Sequence, residues 1–139
     1  MVIFYNCILK KLTFIFVKSY KNRKWYNETV PPICSWYGIS CQNNKLIWLN
    51  LSNNNLQKTF TGSFVKLKNL EVLNLSENSN FNAEFKSEFK ASLTNLKKVN
   101  LSYTNTKNLN NLPASLEKLD AQKLTLTEFP FTDLANLKE

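Results

Sequence analysis

What most limits the folds open to this chain is a set of leucines that recurs in phase. Leu46, Leu49, Leu51, Asn54 and Leu56 follow the spacing L-x-x-L-x-L-x-x-N-x-L. The segment from Leu70 repeats it with Leu73, Leu75 and Asn78, placing Asn80 in the last slot and Phe81 beside it. A third copy runs through Leu96, Val99, Leu101, Thr104 and Thr106, and a fourth through Leu116, Leu119, Ala121, Leu124 and Leu126. A fifth begins at Leu137, where LANLKE echoes LTNLKK and LKNLEV. Starts at 46, 70, 96, 116 and 137 give intervals of 24, 26, 20 and 21 residues. A single match of this kind occurs in ordinary mixed domains. Four in phase, three of them carrying Asn-Leu-Ser at the same place, make a repeat array.

The spacing has a direct physical meaning. Successive side chains of a strand point to opposite faces, so the L-x-L centre of each copy is a short strand with its leucines inward. One copy cannot bury its own apolar side. Stacked copies bury a shared core, with their strands paired in parallel about 4.8 Å apart. The Asn at the ninth position is expected to turn inward and bond backbone groups where the chain leaves the strand, since buried amides need partners. Asn54 and Asn78 hold that position, and Thr104 can substitute. Leu124 cannot hydrogen-bond there, so the fourth turn is expected to be less regular.

An open stack exposes the core of its first repeat and needs a cover. Immediately before the first copy stands PPICSWYGISC, with Cys34 and Cys41 bracketing Trp36 and Gly38. This resembles the plant-type leucine-rich-repeat amino-terminal cap, whose signature C-x-W-x-G-[VI]-x-C runs directly into a first strand; the repeat intervals also fit the leucine-rich-repeat range of about 20–29 residues. Trp25 resembles the tryptophan that precedes that signature, and residues 8–20 correspond to the cap helix, with Ile8, Leu12, Ile15 and Phe16 at helical spacing. The resemblance implies an α/β leucine-rich-repeat solenoid. Short parallel strands form its concave face, its convex side is irregular or helical, and a helical cap stands at its amino terminus. The division expected is residues 1–44 for the cap and 45–139 for the repeats. It also implies a disulfide between Cys34 and Cys41; the alternative is two reduced thiols in an intracellular protein. Two cysteines without histidine supply too few ligands for a structural metal. Cys7 is left as a buried small side chain or an unpaired surface thiol. One departure matters. The first repeat continues as Leu56-Gln57-Lys58-Thr59-Phe60-Thr61, without the Gly and Pro that plant-type repeats carry after the Asn. The second, convex-side strand of plant proteins therefore lacks its sequence support.

Composition removes several function classes. The chain has no histidine, which takes away the usual general base near neutral pH and the commonest metal ligand. No glycine-rich phosphate loop and no nucleophile–base pair appears, so no enzyme and no cofactor is expected. The net charge of +8 suggests nucleic acid until its distribution is read. Lys10, Lys11, Lys18, Lys21, Arg23 and Lys24 lie in a stretch without acids, while twelve Lys and ten acids from Trp25 onward leave only 12 − 10 = +2. No apolar run approaches the roughly 20 residues of a membrane helix. The apolar start is cut by Lys10-Lys11 and lacks the unbroken stretch and cleavage site of a secretory signal. The many asparagines, alongside Lys, Ile, Phe and Tyr, match an A+T-rich coding bias, so abundance alone gives no Asn a role.

Function in such an architecture is expected on the strand face, at the residues between and beside the leucines. Trp48 and Asn50 stand there in the first repeat, Val72 and Asn74 in the second, Lys97, Lys98, Asn100 and Tyr103 in the third, and Lys118 and Asp120 in the fourth. Apolar groups among charges of both signs suit protein recognition and not a phosphate backbone. Trp48 has two open readings, ligand contact or packing against the cap. Of the sequons at Asn27, Asn50, Asn74 and Asn100, the last three are by-products of the Asn-Leu-Ser repeat, which leaves Asn27 as the glycosylation candidate. The expected function is a protein- or peptide-binding module of an extracellular or receptor-like protein. Because the fifth repeat is incomplete, the sequence reads as a fragment of a longer chain, with membrane association only through parts outside it. The alternative is an intracellular, cytoplasmic scaffold or degenerate copy. Neither reading fixes the oligomeric state.

Overall fold

Inward leucines alternating with outward polar residues build the sheet. A computed structural model describes residues 33–35, 37–57, 64–128 and 134–138. Its strands are β1 (Ile39–Gln42), β2 (Lys45–Asn50), β3 (Val72–Asn74), β4 (Lys98–Asn100) and β5 (Lys118–Asp120), lying in that order in one sheet. From β2 to β5 the pairing is parallel and in strict repeat register: Leu49, Leu73, Val99 and Leu119 stand opposite one another. The first three are buried and Leu119 packs half-buried against the same core. The leucines of successive turns thus form one continuous apolar column, a solenoid as the spacing requires.

The second to fifth copies begin with the same backbone turn. Leu70, Leu96, Leu116 and Leu137 donate their N–H groups to the carbonyls of Leu67, Leu93, Pro113 and Leu134 at 2.9–3.2 Å. The next residue then bonds to the preceding turn of the coil: Glu71 to Ile47, Lys97 to Glu71, Glu117 to Lys97 and Lys138 to Glu117, each N···O 2.8 Å. The rung at Lys138 shows the fifth copy already in register with the fourth.

The amino-terminal edge holds a strand that the spacing did not announce. β1 pairs antiparallel with β2 through a tight hairpin whose turn residues, Asn43 and Asn44, have φ of 50° and 58°. Asparagine tolerates that left-handed region, and two such residues in succession give the turn that matches strand twist. Gly38 enters β1 at φ 78°, and its carbonyl accepts the Asn50 N–H at 2.7 Å. A Cβ there would stand 2.5 Å from the Asn50 carbonyl oxygen, so the close approach needs glycine. Cys34, in a single 3-10 turn (Ile33–Ser35), is joined to Cys41 on β1 by a disulfide with Cα atoms 5.5 Å apart. The expected cap helix over residues 8–20, Trp25, Asn27, Trp36 and Cys7 lie outside the described residues.

The crossovers behind the sheet are short 3-10 and α segments, not a second sheet, among the described residues. A 3-10 turn spans Phe64–Lys66, and α1 spans Ser87–Ser92 in the longest interval. Phe85 and Phe89, four apart, bury their rings at 4.7 Å between centroids and fix α1 against the core. The next interval is shorter and fills the same space with buried Leu109 and Leu112 on turns. In the second repeat, Phe81 is buried while Asn80 is exposed, so the inward slot moves one residue along.

Polar side chains at the ninth position form a second, buried column. Asn78 is fully buried, and its Nδ2 donates to the carbonyls of Leu51, Leu75 and Ser76 at 2.8–3.1 Å. Its Oδ1 accepts the N–H groups of Asn54 and Leu56, at 2.9 and 3.0 Å, and so ties two turns together. Asn54 donates to Ser52 O at 2.8 Å, while its buried Oδ1 has no donor among the described residues. In the third repeat a pair of threonines replaces the amide. Thr104 Oγ1 donates to Leu101 O at 2.7 Å and meets Thr106 Oγ1 at 2.9 Å, which accepts Ala83 N–H at 3.2 Å. The fourth turn has only half-buried Leu124 there, yet β5 keeps its register.

Candidate ligand-binding face

Parallel register sets equivalent residues of successive copies side by side. One outward row reads Trp48, Val72, Lys98 and Lys118; the next reads Asn50, Asn74, Asn100 and Asp120. Trp48 and Val72 are half-buried, while Lys98 and Lys118 are exposed. Trp48 lies between Ser40 of β1 and Val72 of β3, within the sheet face. The face therefore passes from apolar at the β2 side to cationic at the β5 side.

The asparagine row has a local structural task. Asn50, Asn74 and Asn100 each accept, through Oδ1, the N–H of the serine two residues on, at 2.9–3.0 Å. Ser76 Oγ adds a bond to Asn74 Oδ1 at 2.8 Å. These turns end β2, β3 and β4 at their asparagines and lead the chain off the sheet. No hydrogen bond engages the three Nδ2 groups among the described residues, so they face outward as donors. Asp120 at the end of the row lies 3.6 Å from Lys118 Nζ.

Beside these rows runs a ladder of alternating charge formed by Glu71, Lys97, Glu117 and Lys138. Lys97 Nζ meets Glu71 Oε2 at 3.2 Å, and Lys138 Nζ meets Glu117 Oε2 at 2.7 Å. The Lys138 hydrogen bond and charge hold the Glu117 carboxyl below the usual glutamate range, with help from Lys97 and Lys98. Lys97 thus has a carboxylate partner in Glu71. Lys138 is its counterpart in the fifth copy, and the recurrence of Leu-Lys at 96–97 and 137–138 is the sequence signal for it. Tyr103 lies past the end of β4, half exposed at φ 60°, its N–H bonded to Gln122 O at 2.9 Å. A bulky residue in that region costs roughly 1 kcal/mol.

Away from this face, an open cleft of about 560 Å³ lies between residues 84–88 and Asn108, Asn110 and Asn111. Its amides serve the fold, with Asn111 Nδ2 donating to Phe85 O at 2.8 Å. No cluster of three His, Cys, Asp or Glu suited to a metal exists among the described residues, and no helix there is long and apolar enough to cross a membrane.

Residues 44–89 match the leucine rich repeat family profile. Over 77 residues, 52% of this chain, it is 39% identical to MDIS1-interacting receptor like kinase 2 of Arabidopsis thaliana. The match spans only 7% of that relative's length. The structure superposes on the crystal structure of the BIR2 ectodomain, also from Arabidopsis thaliana, with a TM-score of 0.65 at 19% identity, covering 94% of this chain and 74% of that one. Residues 44–89 are leucine-rich repeats, and the described chain has the leucine-rich-repeat fold.

One pairing on this leucine-rich-repeat face stands out energetically. Lys98 and Lys118 are direct partners in the β4–β5 register, a like-charge pair that opposes the sheet it belongs to. Lys118 finds Asp120, whereas Lys98 has no ion pair among the described residues. Among the described residues Lys98 is thus a cation of this face without an ion pair, next to Val72.

Proposed function

We propose that the protein is a protein- or peptide-binding module of an extracellular or receptor-like protein, and that its outward sheet face is the binding surface. The observation that carries the reading is the row Trp48, Val72, Lys98, Lys118: apolar and charged groups side by side on a rigid parallel sheet. The scaffold holds these groups through backbone pairing, so little ordering is left to the moment of binding. Support for the compartment comes from the Cys34–Cys41 disulfide, which persists in oxidising surroundings, and from likeness to a receptor like kinase. In this reading residues 1–44 form the cap, 45–139 the repeats, and Asn27 carries the glycan. Asn50, Asn74 and Asn100 stay unmodified, because a glycan on any of them would cover the face.

Selection of a random displayed-peptide library against the folded protein tests this. Binders should be lost on Trp48→Ala or Val72→Glu and kept on Glu84→Lys in the crossover. Binders indifferent to both face variants and sensitive to the crossover variant would overturn the assignment. Thiol labelling of secreted material should count one free cysteine per chain, and glycopeptide mapping should find the glycan at Asn27.

A further inference from the structure

Taking the face as the binding surface, we infer that its partner is an acidic–apolar peptide segment laid across the strands, with an apolar side chain over Trp48 and Val72 and a carboxylate between Lys98 and Lys118. Three observations converge on that chemistry. Lys98 and Lys118 confront each other across β4 and β5, and an anion between them converts a repulsive pair into a bidentate site. Lys97 and Lys138 are paired with Glu71 and Glu117 at 3.2 and 2.7 Å, whereas Lys118 has only the longer 3.6 Å contact with Asp120 and Lys98 has no ion pair among the described residues, so the anion preference centres on Lys98 with Lys118 beside it. Val72 lies next to Lys98 in the same row and Trp48 next to Val72, so apolar surface adjoins the cation without an intervening charge.

Geometry sets the ligand's spacing. Three inter-strand steps of about 4.8 Å carry the row from Trp48 to Lys118, roughly 14 Å in all. The apolar side chain over Trp48 and Val72 and the carboxylate between Lys98 and Lys118 are centred about two of those steps apart, roughly 10 Å, so at about 3.3 Å per residue an apolar and an acidic residue about three positions apart meet them. The outward Nδ2 groups of Asn50, Asn74 and Asn100 run alongside and can donate to the carbonyls of such a segment. A nucleic acid strand fits the face poorly, because Glu71, Glu117 and Asp120 would lie against its phosphates.

The displayed-peptide selection, followed by titration of the strongest fluorescein-labelled binder, decides the matter. Enriched sequences should share an acidic residue about three positions from an apolar one. Affinity should fall roughly tenfold on Lys98→Glu, less on Lys98→Gln, and should weaken as salt rises. Enrichment of basic or uncharged sequences that still need Trp48 would overturn the acidic partner while leaving the face as the binding surface. Stronger binding of a labelled single-stranded oligonucleotide that depends on Lys98 would overturn it in favour of nucleic acid. Absence of any binder that responds to the Trp48 or Val72 variants would remove the face assignment itself.

Discussion

The inward and outward rows of this solenoid repeat with the same period, yet they differ sharply in what each position contributes. Inside, Asn78 bonds five backbone groups of two turns in a place closed to water. Outside, Glu71, Lys97, Glu117 and Lys138 pair in alternation, but with side chains a third to nearly three quarters exposed. Water competes for the outer pairs and salt screens them, so each is worth little. It cannot reach the inner amide, whose loss would orphan buried N–H and C=O groups. Repetition marks both rows equally; burial decides which one holds the coil together.

The strongest way to break the contrast is Asn78→Ala. It leaves Leu51 O, Leu75 O and the Asn54 and Leu56 N–H groups without partners, and should cost about 4 kcal/mol in denaturant unfolding. A loss under about 1 kcal/mol would mean that the spine is dispensable. Next comes the Cys34–Cys41 bridge, which closes a short loop at a sequence separation of 7. Its removal by paired serine substitution should lower stability by about 2–3 kcal/mol, provided the loop-closure account holds. Thr104→Ala sharpens the comparison within the inner row, because the threonine pair makes fewer bonds than Asn78 does. A cost of about 1–2 kcal/mol is expected, and a value equal to that of Asn78→Ala would show that bond number does not set the spine's worth. In the outer row Lys97→Ala should change stability by no more than about 0.5 kcal/mol, and less at high salt.

This difference also explains what could be read from the sequence. The repeat starts, the strand register and the outward rows follow from period alone, because equal offsets within copies become neighbours in the sheet. The inward role of Asn78 was visible for the same reason, and Thr104 for its hydroxyl. The hairpin is not, because Asn43 and Asn44 stand ahead of the first repeat, where no period marks them. Among the described residues five of the eight non-glycine positions with positive φ are Asn43, Asn44, Asn53, Asn55 and Asn111. Asparagine's tolerance of that conformation replaces the scarce glycines, and the clue lay in position, not number. The slip from Asn80 to Phe81 is legible only as an apolar residue beside the slot, and packing decides it. Nothing in the period predicts which lysines find carboxylates, because that depends on rotamers across neighbouring copies.

The finest test of the outer row is the protonation of Glu117. Its carboxyl is held below the usual glutamate range, first by the hydrogen bond from Lys138 and then by that residue's charge, against a smaller opposing effect of desolvation. A depressed folded-state value means that the ion pair supports the fold above the unfolded-state titration of glutamate. The support is lost as pH falls through the lower, folded value, so the window lies on the acid side. Lys138→Ala should raise the Glu117 midpoint toward the ordinary range in a carboxyl-detected NMR titration, while unfolding at neutral pH scarcely changes. Lys98→Ala should move the midpoint in the same direction by less, since Lys98 acts on Glu117 through space alone. If Lys98→Ala moved it more, the charge between β4 and β5 would be coupled to the outer ladder, and the two rows of the face could not be treated as separate.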